Sequence, residues 1–372
     1  MVPAVSLDVV WRGLLPLVLG TGCFAKPDPP GAARDASVID ATDGWLTNYL
    51  YRRRITIHRG PTPSDTLVDF PVSVVLDADD DLMKRANEND RVFTAYDGIT
   101  VLAFEVVSFK PTTGGIEAWV RVPSLPIGDT DIYLYYGGPA TSQQSALTWS
   151  RSTGAWHMGG VQSETDSSGH VEPLVPTDGS TTPALASGIV GSARVYDGIN
   201  DYLCAAAGVS PLPFDLSPAS FSLWVNIKVN NGLFDSPLNR GGNSATVPGF
   251  NIELGTGTWD AEFSDGSTHI SLALQPVRQN AWTYIAAVLD RSGDKATSYV
   301  DGSAVASASA MNFGSLDPAT EFCLGSANYP IEGHLDEVRI YKAALPAAWF
   351  ATEHANLTNR VAFMTIGDQE SL

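Results

Sequence analysis

The fold of this chain is decided by the stretch Phe221-Ser222-Leu223-Trp224-Val225-Asn226-Ile227-Lys228. Its apolar positions 221, 223, 225 and 227 alternate with the other four, and successive side chains of a strand point to opposite faces. The stretch is therefore predicted to be a strand with one buried and one open face. Asp301-Gly302, between two strand-like segments, predicts a two-residue hairpin turn. We expect a two-sheet sandwich with a curved face and a single late helical turn at 346–353.

The N-terminal half of the chain shows the same pattern of short strands separated by turn residues. Its strand-like segments include Arg54-Ile55-Thr56-Ile57-His58, Phe70-Pro71-Val72-Ser73-Val74-Val75-Leu76, Ile116-Glu117-Ala118-Trp119-Val120-Arg121-Val122 and Ile132-Tyr133-Leu134-Tyr135-Tyr136. A length of 372 residues favours two domains. We predict that the first of them, at residues 44–148, is a β-sandwich.

This half contains, in order, Tyr51-Arg52-Arg53-Arg54-Ile55-Thr56-Ile57, Asp69-Phe70-Pro71-Val72, Arg91-Val92-Phe93-Thr94, Trp119-Val120-Arg121-Val122-Pro123 and Ile132-Tyr133-Leu134-Tyr135-Tyr136-Gly137. As a set, these segments resemble a bacterial domain of unknown function that often precedes LamG-like modules. The resemblance covers about residues 44–148. It implies an extracytoplasmic β-sandwich and implies no chemistry.

The second half contains the segments Ala155-Trp156-His157-Met158-Gly159, Val195-Tyr196-Asp197-Gly198, Ser220-Phe221-Ser222-Leu223-Trp224-Val225 and Gly333-His334-Leu335-Asp336-Glu337-Val338-Arg339-Ile340-Tyr341. With these segments, residues 153–368 resemble the LamG-like, concanavalin A-like jelly-roll family. The predicted fold class is thus all-β, with an N-terminal β-sandwich domain followed by a LamG/concanavalin A-like jelly-roll sandwich.

A structural calcium ion is implied by the same resemblance, because LamG-like domains commonly carry one between the first and last strands. Calcium takes about 6 to 8 oxygen ligands from carboxylates and carbonyls. Asp197 and Asp336 match the acids of the corresponding motifs, and Asp201 lies close enough in sequence to assist. The alternative is that Asp197 and Asp336 serve only turns and hydrogen bonds.

Residues 1–23 have the pattern of a signal peptide. Arg12 precedes the apolar run 13–19, which is too short to span a bilayer, and small residues lead to Cys23. The small residues before Cys23 resemble a bacterial lipobox, which implies that Cys23 is lipidated. The alternative is an ordinary secretory signal that contains an incidental cysteine. Residues 24–43 are predicted to be a flexible tether. We expect an exported cell-envelope protein, either lipid-anchored in the membrane or periplasmic or extracellular.

The two remaining cysteines, Cys204 and Cys323, both lie in strand-like segments of the second half. An even number of cysteines in an oxidising compartment favours a disulfide. Two buried free thiols are the alternative, since cysteine also serves as a small apolar residue.

The charge of the chain limits its partners. The formal net charge is −19 and the isoelectric point is about 4.5. Such a chain repels phosphate backbones, so a nucleic-acid partner is not expected. The acidic residues are explained by solubility or, for some of them, by calcium binding.

No catalytic motif is present. The Glu-x-Asp-x-x-Glu pattern of laminarinase-like glycosidases is absent, and Asp260 and Glu262, which share one face of a strand, lack a glutamate three residues later. We predict a solvated face for this pair. The six histidines lack zinc-site spacing and are predicted to be surface or hydrogen-bonded residues.

The sequence therefore predicts a non-enzymatic binding or adhesion protein that recognises a glycan or protein ligand at the cell surface through its LamG-like domain. Two alternatives stay open. One is a glycan hydrolase or lyase on a concanavalin-like fold, and the other is a purely structural envelope protein.

Overall fold

The computed structural model describes residues 44–61, 64–87, 89–205, 212, 214–228, 235–254, 258–317 and 320–372. The predicted signal peptide and its Cys23, and the tether up to residue 43, lie outside the described residues, so export and lipidation stay predictions. Strands dominate the described chain and the helices are few, which confirms the all-β class. None of the described helices has both the length and the apolar character needed to cross a membrane.

The first half is a β-sandwich, as its alternating strands predict. Its elements are β1 (Tyr51–Arg59), β2 (Leu67–Leu76), α1 (Asp80–Arg85), β3 (Val92–Ala95), β4 (Phe104–Lys110), β5 (Gly115–Leu125), β6 (Gly128–Tyr136) and α2 (Ser145–Thr148). Strands β1, β6 and β3 lie side by side in one antiparallel sheet, and β2, β5 and β4 form another. Apolar side chains from both sheets, such as Ile55, Leu134, Val72 and Val120, share one core.

The second half supplies the remaining strands and two helices. They are β7 (Gly154–Trp156), β8 (Ala184–Ser187), β9 (Ser192–Asp197), β10 (Tyr202–Cys204), β11 (Ala219–Ile227), β12 (Asp235–Ser244), β13 (Val247–Leu254), β14 (Trp259–Ser264), β15 (His269–Ala273), β16 (Thr283–Asp290), β17 (Lys295–Val300), β18 (Ser303–Ser309), β19 (Cys323–Gly325), β20 (Glu332–Tyr341), α3 (Ala347–Thr358), α4 (Arg360–Phe363) and β21 (Met364–Ser371).

Two of the sheets enclose the core of the jelly roll. The six-stranded sheet has the order β10-β19-β12-β13-β14-β15, and the eight-stranded sheet has the order β18-β17-β16-β11-β20-β9-β8, with β7 also paired to β20. Phe221 of the eight-stranded sheet packs against Phe250 and Phe263 of the six-stranded sheet, with ring centroids 5.4 and 5.6 Å apart. This face-to-face packing of apolar side chains holds the two sheets together.

The hairpin between β17 and β18 turns at Asp301 and Gly302, as the sequence predicts. Both residues have positive φ, 48° and 76°, which is the conformation of a type I′ turn. Glycine is also required here by close packing, because a Cβ on Gly302 would lie 2.8 Å from the Cα of Ala351 in α3.

The open face predicted for β11 is wrong. Ser222 is fully buried and only 1% of Trp224 is exposed. The reason is that the second face of the eight-stranded sheet is covered by α3 and by the first half of the chain. Trp349 of α3 packs against Tyr341 on this face, with centroids 5.7 Å apart, and against Phe70 of β2, with centroids 4.8 Å apart.

Helix α3 is tied to β2 by hydrogen bonds as well as by rings. The backbone N–H of Ser73 donates to Oδ1 of Asn356 at 2.7 Å, and Nδ2 of Asn356 donates to the Ser73 carbonyl at 3.0 Å. One amide side chain thus satisfies both backbone groups of a strand residue, which would otherwise be costly to bury.

The C-terminal strand β21 joins the sheet of β1, on the side opposite β6. Ile366 pairs with Ile55, and the buried Arg52 donates through Nε to Glu370 Oε2 at 2.6 Å. The last strand of the chain therefore completes a sheet that begins in the first half. The central strands β11, β16 and β20 of the eight-stranded sheet are buried on both faces, whereas its outer strands β8 and β18 are largely exposed. The outer face of the six-stranded sheet, opposite the core, is the sheet surface on which the site below is built.

Candidate functional site

The outer face of the six-stranded sheet carries a row of polar side chains in register. The pairing runs Cys204–Cys323–Asn239–Asn251–Glu262–Ser271 across five strand contacts. Directly paired residues point to the same side of a sheet. Because the neighbours of these residues in sequence, such as Leu324, Ile252 and Ala261, belong to the core, this row faces away from it.

Three acidic residues gather on this face, and we call them the acidic site: Glu253, Asp260 and Glu262. Asp260 lies two residues before Glu262 on β14 and pairs directly with Glu253 of β13. The amide Nδ2 of Asn251 donates to Glu253 Oε2 at 2.9 Å. Alternation along each strand puts Asn251 and Glu253, and likewise Asp260 and Glu262, on the same side.

Glu262 is the buried member of the acidic site. Only 6% of the residue is exposed, and its Oε2 has no hydrogen-bond partner in the described part of the chain. Its Oε1 lies 3.5 Å from Nε2 of His269. The prediction of a solvated face is therefore wrong for Glu262, although Asp260 stays partly exposed.

Burial, and then the negative charges of Glu253 and Asp260, raise the pKa of Glu262 to about 8, against the hydrogen bond of Asn251, which lowers it. The pKa of Glu253 is also raised, by burial and by the charge of Asp260. A carboxyl that leaves water favours its neutral form, and so does one beside like charges. At neutral pH Glu262 is accordingly a protonated carboxyl.

The pKa of Glu262 makes stability depend on pH. Its usual value is 4.5, so between pH 5 and 8 the folded chain keeps a proton that the unfolded chain has lost. The free energy of unfolding should therefore fall as pH rises, with a slope approaching about 1.4 kcal/mol per pH unit. Glu262→Gln should lower the slope by the contribution of this carboxyl, whereas Glu172→Gln on the surface should retain the slope of wild type. Urea unfolding at pH 5, 6, 7 and 8 measures both; identical slopes for wild type and Glu262→Gln would refute the assignment.

Asp197 and Asp201 come together in the turn from β9 to β10. Oδ1 of Asp197 accepts the N–H groups of Ile199 and Asn200 at 2.8 and 3.4 Å, and Oδ2 of Asp201 accepts the Asp197 N–H at 2.9 Å. Burial, and then the charge of Asp197, raise the pKa of Asp201 against that last hydrogen bond. The two side chains close the turn.

Asp336 lies elsewhere on the eight-stranded sheet and is fully buried. Its Oδ2 accepts the N–H groups of Ile189 and Val190 at 2.8 and 3.3 Å, and its Oδ1 accepts the N–H of Glu337 at 2.8 Å. Burial raises the pKa of Asp336 well above its usual value despite these bonds. Backbone N–H groups thus surround the oxygens that a cation would need.

The donor set predicted for calcium is not assembled. Asp197 pairs with Glu332, four residues before Asp336 along β20, which separates the two by about 13 Å at ~3.3 Å per residue. Within the described residues, the cluster close enough to share one ion is Cys204, Glu321 and Cys323, and its two sulfurs are bonded to each other. Asp197 and Asp336 therefore do not fit a common calcium ion, and calcium binding stays an untested prediction.

Cys204 and Cys323 form a disulfide between the neighbouring strands β10 and β19, with Cα atoms 4.1 Å apart. The disulfide lies at one end of the polar row. It fixes the edge of the six-stranded sheet, where Asn239 pairs directly with Cys323 and Asn251 follows on the next strand.

A second polar cluster, missed by the sequence analysis, lies between the two halves. Nδ1 of His157 lies 3.0 Å from Glu337 Oε1, and its Nε2 lies 3.3 Å from Glu105 Oε2. Burial alone would raise the pKa of Glu105, but hydrogen bonds from His157, Trp149 and Ser167 and the charge of His157 lower it to about 2. These groups come from distant segments, so no local pattern could have grouped them.

A comparison with protein families agrees with this fold. Residues 197–351 match the model of the concanavalin A-like lectin/glucanases superfamily. This confirms the jelly roll predicted for the second half. The matched segment contains the six-stranded sheet from β10 to β19 and the acidic site.

Several solved structures are also similar. The binding domain of paraclostridial mosquitocidal protein 1 is 15% identical over 57% of this chain and 52% of that one, with a TM-score of 0.43. A botulinum neurotoxin serotype D ligand-binding domain in complex with N-acetylneuraminic acid is 11% identical over 55% and 50%, with a TM-score of 0.46. The chain thus spans about half of each of these structures. No curated protein matches the sequence.

Proposed function

We propose that this protein is an exported, non-enzymatic binding or adhesion protein of the cell envelope, which holds a glycan or protein ligand on the outer face of its six-stranded sheet. The observation that carries the proposal is the buried carboxyl of Glu262, whose Oε2 has no hydrogen-bond partner among the described residues. Leaving a buried polar atom unpaired costs about 1–3 kcal/mol. A ligand that supplies the missing partner offsets this cost.

The surroundings of Glu262 support a ligand site. His269, Ser271 and Ala273 of β15 are exposed and border the acidic site on the same face. Asn239 of β12 is partly exposed on the same face, and the buried Asn251 between β12 and β14 holds Glu253 by a hydrogen bond. Convergent polar groups of this kind hold polar ligands.

Export is supported by the Cys204–Cys323 disulfide, because such bonds form and persist in oxidising compartments. Lipidation of Cys23 belongs to the same proposal, with the membrane reached only through the lipid. A Cys23→Ser variant should then leave the membrane fraction, and unchanged membrane association would contradict the anchor.

The net charge of −19 argues against a nucleic-acid partner.

A glycan hydrolase is the second candidate, favoured by one observation. Glu262, with a pKa of about 8, stays protonated at neutral pH beside Asp260 on the same face. A protonated carboxyl beside an ionised one is the arrangement that glycosidases use as general acid and base or nucleophile.

One experiment separates the two. The purified protein is passed over immobilised polysaccharides, and both retention and released reducing ends are measured. We expect retention of wild type without product, at least tenfold weaker retention of Glu262→Gln, and unchanged retention of the exposed control Glu172→Gln. Product release by wild type would establish the hydrolase instead, and equal retention of wild type and both variants would refute a site at Glu262.

A further inference from the structure

The turn that follows β3 exposes three large apolar side chains, and we call them the apolar tip: Tyr96, Ile99 and Val101. They are exposed by 73, 54 and 47%, respectively. No other six-residue stretch of the described chain exposes as many large apolar residues. Single exposed apolar side chains are normal on a protein surface, whereas a group of them marks a surface that contacts a partner or a membrane.

The polar groups of the same turn are bonded largely to one another. Oδ1 of Asp97 accepts the N–H groups of Ile99 and Thr100 at 3.1 and 2.9 Å, and its Oδ2 accepts the Thr100 hydroxyl. The N–H of Ala95 donates to the Thr100 carbonyl at 2.8 Å. Asp97 is also the only charged residue in the segment 92–104. These bonds lower the cost of moving the turn out of water, because an unpaired polar group is destabilising there.

The chain that leads to the predicted lipid anchor leaves the described structure beside the apolar tip. The N–H of Gly44 donates to the Asp97 carbonyl at 2.9 Å, and a Cβ on Gly44 would lie 2.6 Å from Cγ2 of Ile99. Residues 24–43 separate Gly44 from Cys23. A flexible tether of this length has an average end-to-end distance of about 25 Å. A lipid on Cys23 therefore keeps the apolar tip close to the bilayer surface.

We propose that the apolar tip inserts into the headgroup region of a phospholipid bilayer and so orients the anchored protein on the membrane. The proposal rests on the lipid anchor of the proposed function, since the lipid brings the protein to the membrane and the tip acts only after anchoring. The anchor makes the contact intramolecular, which holds a tip too small to bind from solution. Tyr96 suits this position, because a tyrosine ring is apolar and its hydroxyl stays with the headgroups. The net charge of −19 favours zwitterionic over anionic lipids.

The test uses the exported form of the chain, residues 24–372, with an N-terminal hexahistidine tag in place of the lipid. The tag binds the chain to phosphatidylcholine vesicles that contain a small fraction of nickel-chelating lipid, so the test does not depend on lipidation in the cell. Ile99→Cys carries a polarity-sensitive fluorophore. The matched control is Ile199→Cys, at an isoleucine that is 70% exposed in the turn from β9 to β10. The two cysteines of the disulfide are bonded to each other and do not take up the label.

We expect quenchers carried on the lipid acyl chains to reduce the fluorescence at position 99 by about half or more, because an inserted apolar surface lies about 5–10 Å deep. Position 199 should be unaffected, and Tyr96→Ser should weaken the quenching at position 99. Equal quenching at both positions, or none at position 99, would overturn the proposal. So would an emission change at position 99 that grows with protein concentration without vesicles, since a second copy of the chain would then cover the tip.

Failure of this proposal and failure of the lipid anchor are distinguishable. Fractionation of Cys23→Ser tests the anchor, whereas the tagged chain brings its own anchor and tests the apolar tip alone.

Discussion

Replacement of both Cys204 and Cys323 by serine is expected to lower the free energy of unfolding by about 4–5 kcal/mol. The disulfide joins residues 119 positions apart, so it removes much of the chain entropy of the unfolded state. The loss should be seen as a lower urea midpoint for the double variant and for wild type in reducing agent.

The control for this prediction is Cys23→Ser, which leaves the pair intact and should unfold as wild type does. Reducing agent should also have no further effect on the double variant. A double variant as stable as wild type would contradict the prediction. It would show that the hydrogen bonds between the strands already hold this edge of the sheet without the disulfide.

Arg339→Leu is expected to cost about 3–5 kcal/mol, because it removes the guanidinium that pairs with a buried carboxylate. Arg339 is fully buried and forms an ion pair with Glu337, of which 1% is exposed. Its guanidinium lies 4.2 Å from the ring centroid of Trp149 and 5.1 Å from that of Trp119, both from the first half of the chain. The charge therefore stabilises the contact between the two halves.

Chemical denaturation of three variants tests this account. Arg339→Leu combined with Glu337→Leu should recover part of the loss, because the unpaired charge is gone. The matched surface variant Lys84→Ala, which breaks the exposed pair with Asp80, should change stability by less than ~1 kcal/mol. A single Arg339→Leu variant no less stable than Lys84→Ala would contradict the prediction.

The sequence predicts well what depends on local pattern. Alternation along β11 identifies a strand, and Asp301-Gly302 identifies the hairpin between β17 and β18, since positive φ at both positions needs such residues. The open face of β11 is predicted wrongly because Ser222 and Trp224 look solvent-facing until α3 covers them. The late helix is also longer than the single turn expected, and ends at Thr358.

The candidate site is harder to predict because it depends on register. Asp260 and Glu262 are visible as alternate residues of one strand, but Glu253 and Asn251 join them only through the pairing of β13 with β14. The burial of Glu262 also depends on tertiary packing. Conversely, Asp197 and Asp336 belong to recognisable motifs, yet the register of β9 against β20 keeps them apart.

The most direct test of the proposed site is a crystal structure of the protein with the saccharide that it retains most tightly. The account predicts saccharide density on the outer face of the six-stranded sheet, with a ligand nitrogen or hydroxyl within about 3.2 Å of Glu262 Oε2. A saccharide bound on the first half of the chain, with Glu262 Oε2 still unpaired, would contradict it.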